Sequence, residues 1–426
     1  MLEIGLFRNE KERLVQGLKK KRVSEEQLNM VDLIIEKDDQ RKFNQTQLDS
    51  ILAEINSLSR HVGELMKSGN HAEGNELKAK VTSLKDQSKA LEIEAKEIND
   101  SLESMIIQLP NIPHVSVPEG SKAEDNEVFK SWEGPLDDIA ANAIPHWELA
   151  DKYNIFSLPD GVKLTGAGFP VYKGKGAKLQ RALISYFLDK ATDAGFLEIL
   201  PPLMVNENSA RATGQLPDKE GQMYHITKDE LYLIPTAEVP ITNLYRDTIL
   251  NVSDFPVKMT GYTPCFRREA GSYGADVKGL NRVHQFDKVE IVVLEHPDKS
   301  YETLMKMVDH VKMLVESLGL PYRILRLCGG DMSFASALTF DFEVYSKAQK
   351  RWLEVSSVSN FETFQSNRMM LRYKDENGKN RLAHTLNGSA LALARIVATI
   401  LENFQTENGV IIPEVLRKYT GFDLLN

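Results

Sequence analysis

The stretch RREAGSYGADVKGLNRVHQFDKVEIV, residues 267–292, sets two charged, strand-like runs on either side of a Gly-rich loop. Residues two apart on a strand share a face. Arg267 and Glu269 therefore point one way on the first run, and Arg282, Phe286 and Glu290 point one way on the second. The second alternation also takes in His284 and Lys288. Turned toward one cleft, these faces offer guanidiniums, carboxylates and a flat ring. Guanidinium forks suit phosphate and carboxylate, the ring can stack on a base, and a carboxylate can accept an amino N–H. A solvated edge hairpin accounts for the same charges when this segment is taken alone.

Other residues weigh on that choice. HTLNGSALALARIVATILENFQ predicts a strongly apolar helix over 388–404, with Arg395 among Leu391, Leu393, Ile396, Val397 and Ile400. An arginine so surrounded needs an anion or a carboxylate at its head; a structural ion pair also meets that need. Gly388, at the expected helix start, fits a close approach of backbone to ligand. RWLEVSSVSNF supplies Glu354, with Ser356 and Ser357 close behind. These are oxygen donors of the kind magnesium takes beside phosphates and water, and a Ser-rich turn at a strand end is the plainer reading. YLIPTAEVPI places Thr236 and Glu238 at the end of an apolar strand. The glycines of GAGFPVYKGKG match neither a dinucleotide fingerprint nor a phosphate loop. His and Cys never fall at zinc-ligand spacing, and no G-x-S-x-G elbow occurs.

The elements that must position these groups divide the chain. Leu48, Ile51, Ile55, Leu58, Val62 and Leu65 step by three and four, and so do Leu77, Val81, Leu84, Ser88, Leu91, Ala95, Ile98, Leu102 and Met105. Two such seams around KSGNHAEGN predict an antiparallel coiled-coil hairpin over about 27–105. Forty-odd residues per helix make an arm of roughly 60 Å. LPNIPHVSVPEG, with three prolines, ends it. Beyond it, an amphipathic helix near 177–194, a helix over about 299–318 and strands joined by turns predict an α+β domain of mainly antiparallel sheet flanked by helices. At 426 residues, 42% hydrophobic and 27% charged, the chain has the make-up of a globular protein of about two or three domains. Its two cysteines form no framework, its N-terminus has no signal-peptide layout, and no apolar run approaches a membrane span, so a cytoplasmic protein is expected. A net charge of -9 argues against nucleic-acid binding except through a local basic stripe.

Assembled, these residues resemble the seryl-tRNA synthetases, a family of class II aminoacyl-tRNA synthetases, over essentially the full length. The helix and strand ending at Pro201 and Pro202 are similar to the first class II motif, FRREAGS…RVHQFDKVE to the second, and NGSALALAR to the third. PTAE, HTLNGS and the helical arm point to the seryl member. The resemblance implies residues 1–108 as a tRNA-binding domain and 109–426 as the catalytic domain. It implies a homodimer joined through the first motif, and ATP, L-serine, tRNA(Ser) and magnesium as partners, with no membrane and no zinc. It leaves open whether a selenocysteine tRNA is also charged. By the same resemblance Arg267 holds the ATP α-phosphate and the serine carboxylate, Glu269 meets the adenine amino group, and Phe286 stacks on the ring. Arg282 lies near the phosphates and Arg395 binds the γ-phosphate, while Glu354 and Ser357 hold magnesium. Arg268, Val355 and Ser356 complete the ATP site. Thr236, Ala237, Glu238 and Glu290 surround serine, and Asn387 and Ser389 close its pocket. Arg267, Glu354 and Arg395 carry the catalysis. Arg41, Lys42, Arg60, Lys67, Lys78, Lys80, Lys85 and Lys89 are candidate phosphate contacts on the arm. A carrier-protein aminoacylating paralogue and a non-catalytic tRNA-binding relative are the competing readings. The long arm disfavours the first, and the presence of Arg267, Glu354 and Arg395 disfavours the second.

Overall fold

The computed structural model describes residues 1–134, 136, 143–269 and 278–426. Most of the Gly-rich loop that follows Glu269 therefore lies outside the described residues. The chain divides into two compact units, Met1–Pro110 and Asn111–Asn426.

In the first unit, α1 (Glu25–Lys67) and α2 (His71–Ile106) pack side by side. Ser24 starts α1 with a capping box: its hydroxyl accepts from Gln27 N–H at 3.2 Å, and Gln27 Oε1 accepts from Ser24 N–H at 3.1 Å. The expected seam is present, with Leu48, Ile55, Val81, Leu84, Ser88, Ile98 and Leu102 buried. The break between the helices is shorter than KSGNHAEGN implied, since only residues 68–70 separate them and helix resumes at His71. Toward the base the seam turns polar. Asp38 is fully buried, ion-paired with Arg8 and, at 2.7 Å, with Arg41, and Lys42 stands 3.5 Å away.

The second unit is built on an eight-stranded sheet. In chain order its strands are β1 (Glu127–Ser131), β2 (Leu197–Glu198), β3 (Val257–Phe266), β4 (Gln285–Glu295), β5 (Tyr322–Arg326), β6 (Leu338–Ser346), β7 (Arg351–Asn360) and β8 (His384–Ala392). Their spatial order is β1–β5–β6–β7–β8–β4–β3–β2, antiparallel at every step but the last. Helices α3 (His146–Tyr153), α4 (Gly174–Asp193), α5 (Ser300–Ser317) and α6 (Leu393–Asn403) pack around it. The plain hydrophobics that end β4 are explained by burial on both faces. Val289, Ile291 and Val293 enter the main core, while Val292 and Leu294 enter a second core with Met259, Met369 and Leu371.

Two expected elements have different limits. The charged hairpin is shorter than its alternation implied: β3 ends at Phe266 and β4 begins at Gln285, so Arg267, Glu269, Arg282 and His284 lie beyond the strand ends. The apolar helix expected over 388–404 is strand as far as Ala392 and helix only from Leu393. Gly388 is thus not a helix start. It is a central strand residue between Ile291 and Val358, and a Cβ there would stand 3.1 Å from Val358 Cγ2. A short apolar run is equally at home in a buried strand and a buried helix, so periodicity does not separate them. The switch occurs at a bulge, where Lys288 pairs with Ala392 and Glu290 with Ser389, and Leu391 takes φ +76°.

Candidate active site

Arg267, Glu269, Arg282, Phe286, Glu354, Val355, Ser356, Ser357, Arg395, Thr236, Glu238, Glu290, Asn387 and Ser389 line a single cavity of about 590 Å³. Ala237 and Arg268 do not. Ala237 is buried behind the wall, and Arg268 turns toward the Tyr224 ring, 6.0 Å from its centroid.

The ends of the charged hairpin are held by one bond between its limbs and by others from Pro235 and Gln222, which compensates for their lying beyond the sheet. Arg267 N–H donates to the His284 carbonyl at 2.9 Å and its Nε to the Pro235 carbonyl at 3.3 Å. Its guanidinium stands 5.3 Å from the Phe286 ring centre. Gln222 grips the next two residues, its carbonyl accepting from Arg268 N–H at 2.9 Å and its Oε1 from Glu269 N–H at 3.0 Å. Glu269, in the left-handed region at φ +48°, directs its carboxylate to Arg282.

Arg395 occupies the first turn of α6 and is 27% exposed rather than enclosed by its apolar neighbours. Its partners are mainly carbonyls: Nε donates to Asn281 O at 2.8 Å and Nη1 to Glu354 O at 2.6 Å, with the Glu354 carboxylate 3.9 Å away. Its unused donors face the cavity, where an acceptor of negative charge fits.

A second set is buried. Glu290 Oε2 accepts from Thr236 Oγ1 at 3.0 Å and meets Lys288 Nζ at 2.6 Å. Glu238 Oε1 accepts from Gln365 Nε2 at 2.7 Å. Burial, and then the Glu290 charge, push the Glu238 carboxyl up to about 7. Asn387 and Ser389 lie beside this set because β8 pairs Asn387 with Val292 and Ser389 with Glu290.

Glu354 and Ser357, three apart on β7, belong on opposite faces of a regular strand. A bulge reverses this: Glu354 pairs with Glu343 and Ser356 with Phe342, so Val355 is extra and Ser357 pairs with Asp341. Glu343 and Asp341 are two apart, which puts Glu354 and Ser357 on one face. Asp341 is half-buried, its Oδ1 is shielded from solvent with no hydrogen-bond partner, and desolvation followed by the Glu354 charge raises its carboxyl well above the usual range. A half-exposed carboxylate, a hydroxyl and an unsatisfied acidic oxygen behind them fit a hard divalent cation that takes its remaining oxygens from phosphate and water. Among the described residues no three His, Cys, Asp or Glu side chains cluster as a self-sufficient metal site.

Sequence reasoning missed Lys288 as a site residue, although it stands on the charged face, and missed Gln222, Gln365 and Asp341. Lys288 was the one with a signal, since an even alternation through 286, 288 and 290 puts it between two assigned residues. Gln365 reaches Glu238 from 127 positions away and carried none.

Family models match at both ends: the seryl-tRNA synthetase N-terminal domain over residues 1–113 and the class II core domain of the G, H, P, S and T synthetases over 223–404. The serine--tRNA ligase of Salinibacter ruber is 47% identical, covering 99% of this chain and 98% of its own. The chain belongs to the seryl-tRNA synthetase family. The seryl-tRNA synthetase relative from Chlorobaculum parvum, also a serine--tRNA ligase, is 42% identical over the whole of both chains. Among solved seryl-tRNA synthetases, that of Pyrococcus horikoshii complexed with ATP superposes with a TM-score of 0.92 at 32% identity, covering 100% of this chain and 99% of its own. The Naegleria fowleri serine-tRNA ligase in complex with AMP gives 0.87 at 26%, with the same coverage.

Proposed function

We propose that this seryl-tRNA synthetase family member activates L-serine with ATP and transfers the seryl group to the 3′ end of tRNA(Ser). The observation that carries the reading is a guanidinium–ring–carboxylate set and a buried carboxylate–hydroxyl–ammonium set on one cavity. The ATP and AMP complexes of two relatives support the nucleotide half.

In the first step a serine carboxylate oxygen attacks the ATP α-phosphorus. The new P–O bond forms as the bond to the β-phosphate breaks, and pyrophosphate leaves. Phe286 stacks on adenine, Glu269 accepts from its amino group, and Arg267 holds α-phosphate and serine carboxylate together. Arg282 and Arg395 take the outer phosphates. The chain supplies no nucleophile; it aligns the reactants and places charge where the phosphoryl oxygens need it. Glu354 and Ser357 would hold magnesium, which when bound supplies further positive charge against those oxygens. Thr236, Glu238 and Glu290 meet the serine ammonium and hydroxyl, flanked by Asn387 and Ser389. A site built to bond a hydroxyl rejects alanine and glycine by roughly 10⁴ to 10⁵, because their absence of a hydroxyl leaves buried groups unpaired. In the second step a terminal ribose hydroxyl attacks the adenylate carbonyl and AMP leaves.

The helical unit is proposed as the tRNA-binding part. A homodimer is supported by exposed apolar residues around β2, with Leu200 85% exposed beside Leu197, Leu203 and Met204. No helix among the described residues is long and apolar enough to cross a membrane.

ATP–pyrophosphate exchange with magnesium, without tRNA, tests the first step across serine, threonine, alanine, glycine and cysteine. Exchange is expected with serine alone, and Arg395→Ala should lower it by at least 100-fold. Exchange driven by another amino acid would move the chain to an aminoacylating paralogue, and none at all would favour a binding protein.

A further inference from the structure

Behind the cavity, a fully buried His146 opens α3. Its Nδ1 stands 2.6 Å from Glu402 Oε1, and its backbone N–H donates to the same oxygen at 3.0 Å. Its Nε2 accepts from Leu280 N–H at 2.8 Å, which leaves the ring proton on Nδ1, facing Glu402. The ring thus joins α6, which carries Glu402, to the returning limb of the charged hairpin, which carries Leu280. Contact is close enough that a Cβ on Gly279, at φ +65°, would lie 2.1 Å from His146 Nε2. Next in the chain, Trp147 receives the Lys278 ammonium over its ring at 4.4 Å.

Glu402 and Arg395 are seven positions apart on α6, two turns along one face. Both hold the same limb. Arg395 donates to the Asn281 carbonyl at 2.8 Å, and the Asn281 side chain bonds to Gln349, whose Nε2 reaches Glu402 at 3.0 Å. Ser346 closes the ring of contacts by donating to the other Glu402 oxygen. Lys278, Leu280 and Asn281 are therefore tethered immediately before Arg282, whose partner Glu269 stands on the opposite limb.

We propose that His146 and Glu402 are positioning residues for ATP: they fix the returning limb against α6, and so set Arg282 and Arg395 at one spacing for the nucleotide. Buried histidine–carboxylate pairs are common structural ties, but a tie serving only the core has no reason to take the N–H of a substrate-facing limb as its second partner. The serine half of the cavity rests on Thr236, Glu290, Lys288 and Gln365, none of which this tether touches. The inference rests on the reading that the limb binds ATP.

The test is steady-state ATP–pyrophosphate exchange by the full-length chain, with ATP and serine titrated separately and Tm measured for each variant. His146→Ala and Glu402→Gln should raise the KM for ATP about tenfold or more while the KM for serine stays within twofold. His146→Gln, whose amide oxygen can take the Leu280 N–H, should recover at least half of the loss. Gly279→Ala presses on the ring from the limb side and should give the same ATP-selective rise, covering the case in which His146→Ala fails to fold. Leu416→Ala, a fully buried core truncation away from the tether, should lower Tm without separating the two KM values. ATP and serine KM values that move together, or an ATP KM unchanged in both Gly279→Ala and Glu402→Gln, would overturn the positioning role while leaving the ATP reading intact. Absence of exchange in the unsubstituted chain would overturn the ATP reading, and the tether's role with it.

Discussion

Glu238 is a carboxyl group held near neutrality by its surroundings. Burial is the larger cause and the Glu290 charge the next, while the Gln365 hydrogen bond and the charges of Lys288 and Arg267 pull it back down. Its folded-state pKa of about 7 lies above the ordinary glutamate value of 4.5. Between those values the folded chain keeps a proton that the unfolded chain has lost, so this group makes stability fall as pH rises from about 4.5 to 7. The slope it can contribute is about 1.4 kcal/mol per pH unit at most. Urea midpoints measured from pH 5 to 7.5 should fall less steeply in Glu238→Gln than in the parent chain, and parallel curves would show that the carboxyl is already ionised at pH 5. The same proton bears on substrate. A serine ammonium pairs with the ionised form, so the KM for serine should fall as pH rises from 6 to 8, and Glu238→Gln should flatten that dependence while raising KM throughout. Phe286 bears on the other half of the cavity. Stacking a base on an aromatic ring is worth about 1–3 kcal/mol, so Phe286→Ala should raise the KM for ATP by about tenfold or more in the exchange assay, with little change for serine.

Elements decided how much could be read in advance. The arm was legible because a helix with one apolar seam repeats every three or four residues, and nothing else in the chain sustains that spacing. The alternation of 286, 288 and 290 was legible for the same kind of reason, and those residues do share a face of β4. Three features were hidden. The limits of the hairpin were hidden because Arg267, Glu269 and Arg282 continue its charge pattern after the ladder has ended, held by Gln222 and the His284 carbonyl instead. The strand over 384–392 was hidden because its small and apolar residues from Gly388 onward lead straight into α6 without a turn or a capping residue. The shared face of Glu354 and Ser357 depends on one extra residue, Val355, which no periodicity of two can reveal. Gly388 tests the strand assignment. In a helix start a larger side chain would meet solvent or ligand; between β4 and β7 it meets Ile291 and Val358. Gly388→Val should therefore cost about 1–3 kcal/mol by urea unfolding, and should raise the KM for serine through the displaced neighbours Asn387 and Ser389. Unchanged stability would contradict the strand.

At the scale of the molecule, a net charge of -9 leaves an RNA partner to be met by local groups of cations rather than by the charge of the whole chain. In the catalytic unit the conspicuous surface feature is apolar, the leucines and methionine around β2. Leu200→Asp should shift the chain from dimer to monomer in sedimentation velocity and lower exchange activity, whereas a monomeric parent chain would remove the proposed interface. On the helical unit the eight candidate cations are not equivalent. Arg41 and Lys42 lean on Asp38, and Lys80 pairs with Glu54 at 2.8 Å. Arg60 donates only to a carbonyl at 3.4 Å, and Lys67, Lys78, Lys85 and Lys89 are exposed. This division has a consequence for the ionic atmosphere of the complex. A cation that leaves a carboxylate for a phosphate frees one counterion from the RNA but obliges the abandoned carboxylate to gather another. The three paired cations thus contribute little net ion release, and the remaining five contribute about 0.9 each on a duplex. The logarithm of the tRNA association constant should fall with the logarithm of salt at a slope of about 4 to 5 per arm, where eight independent contacts would give about 7.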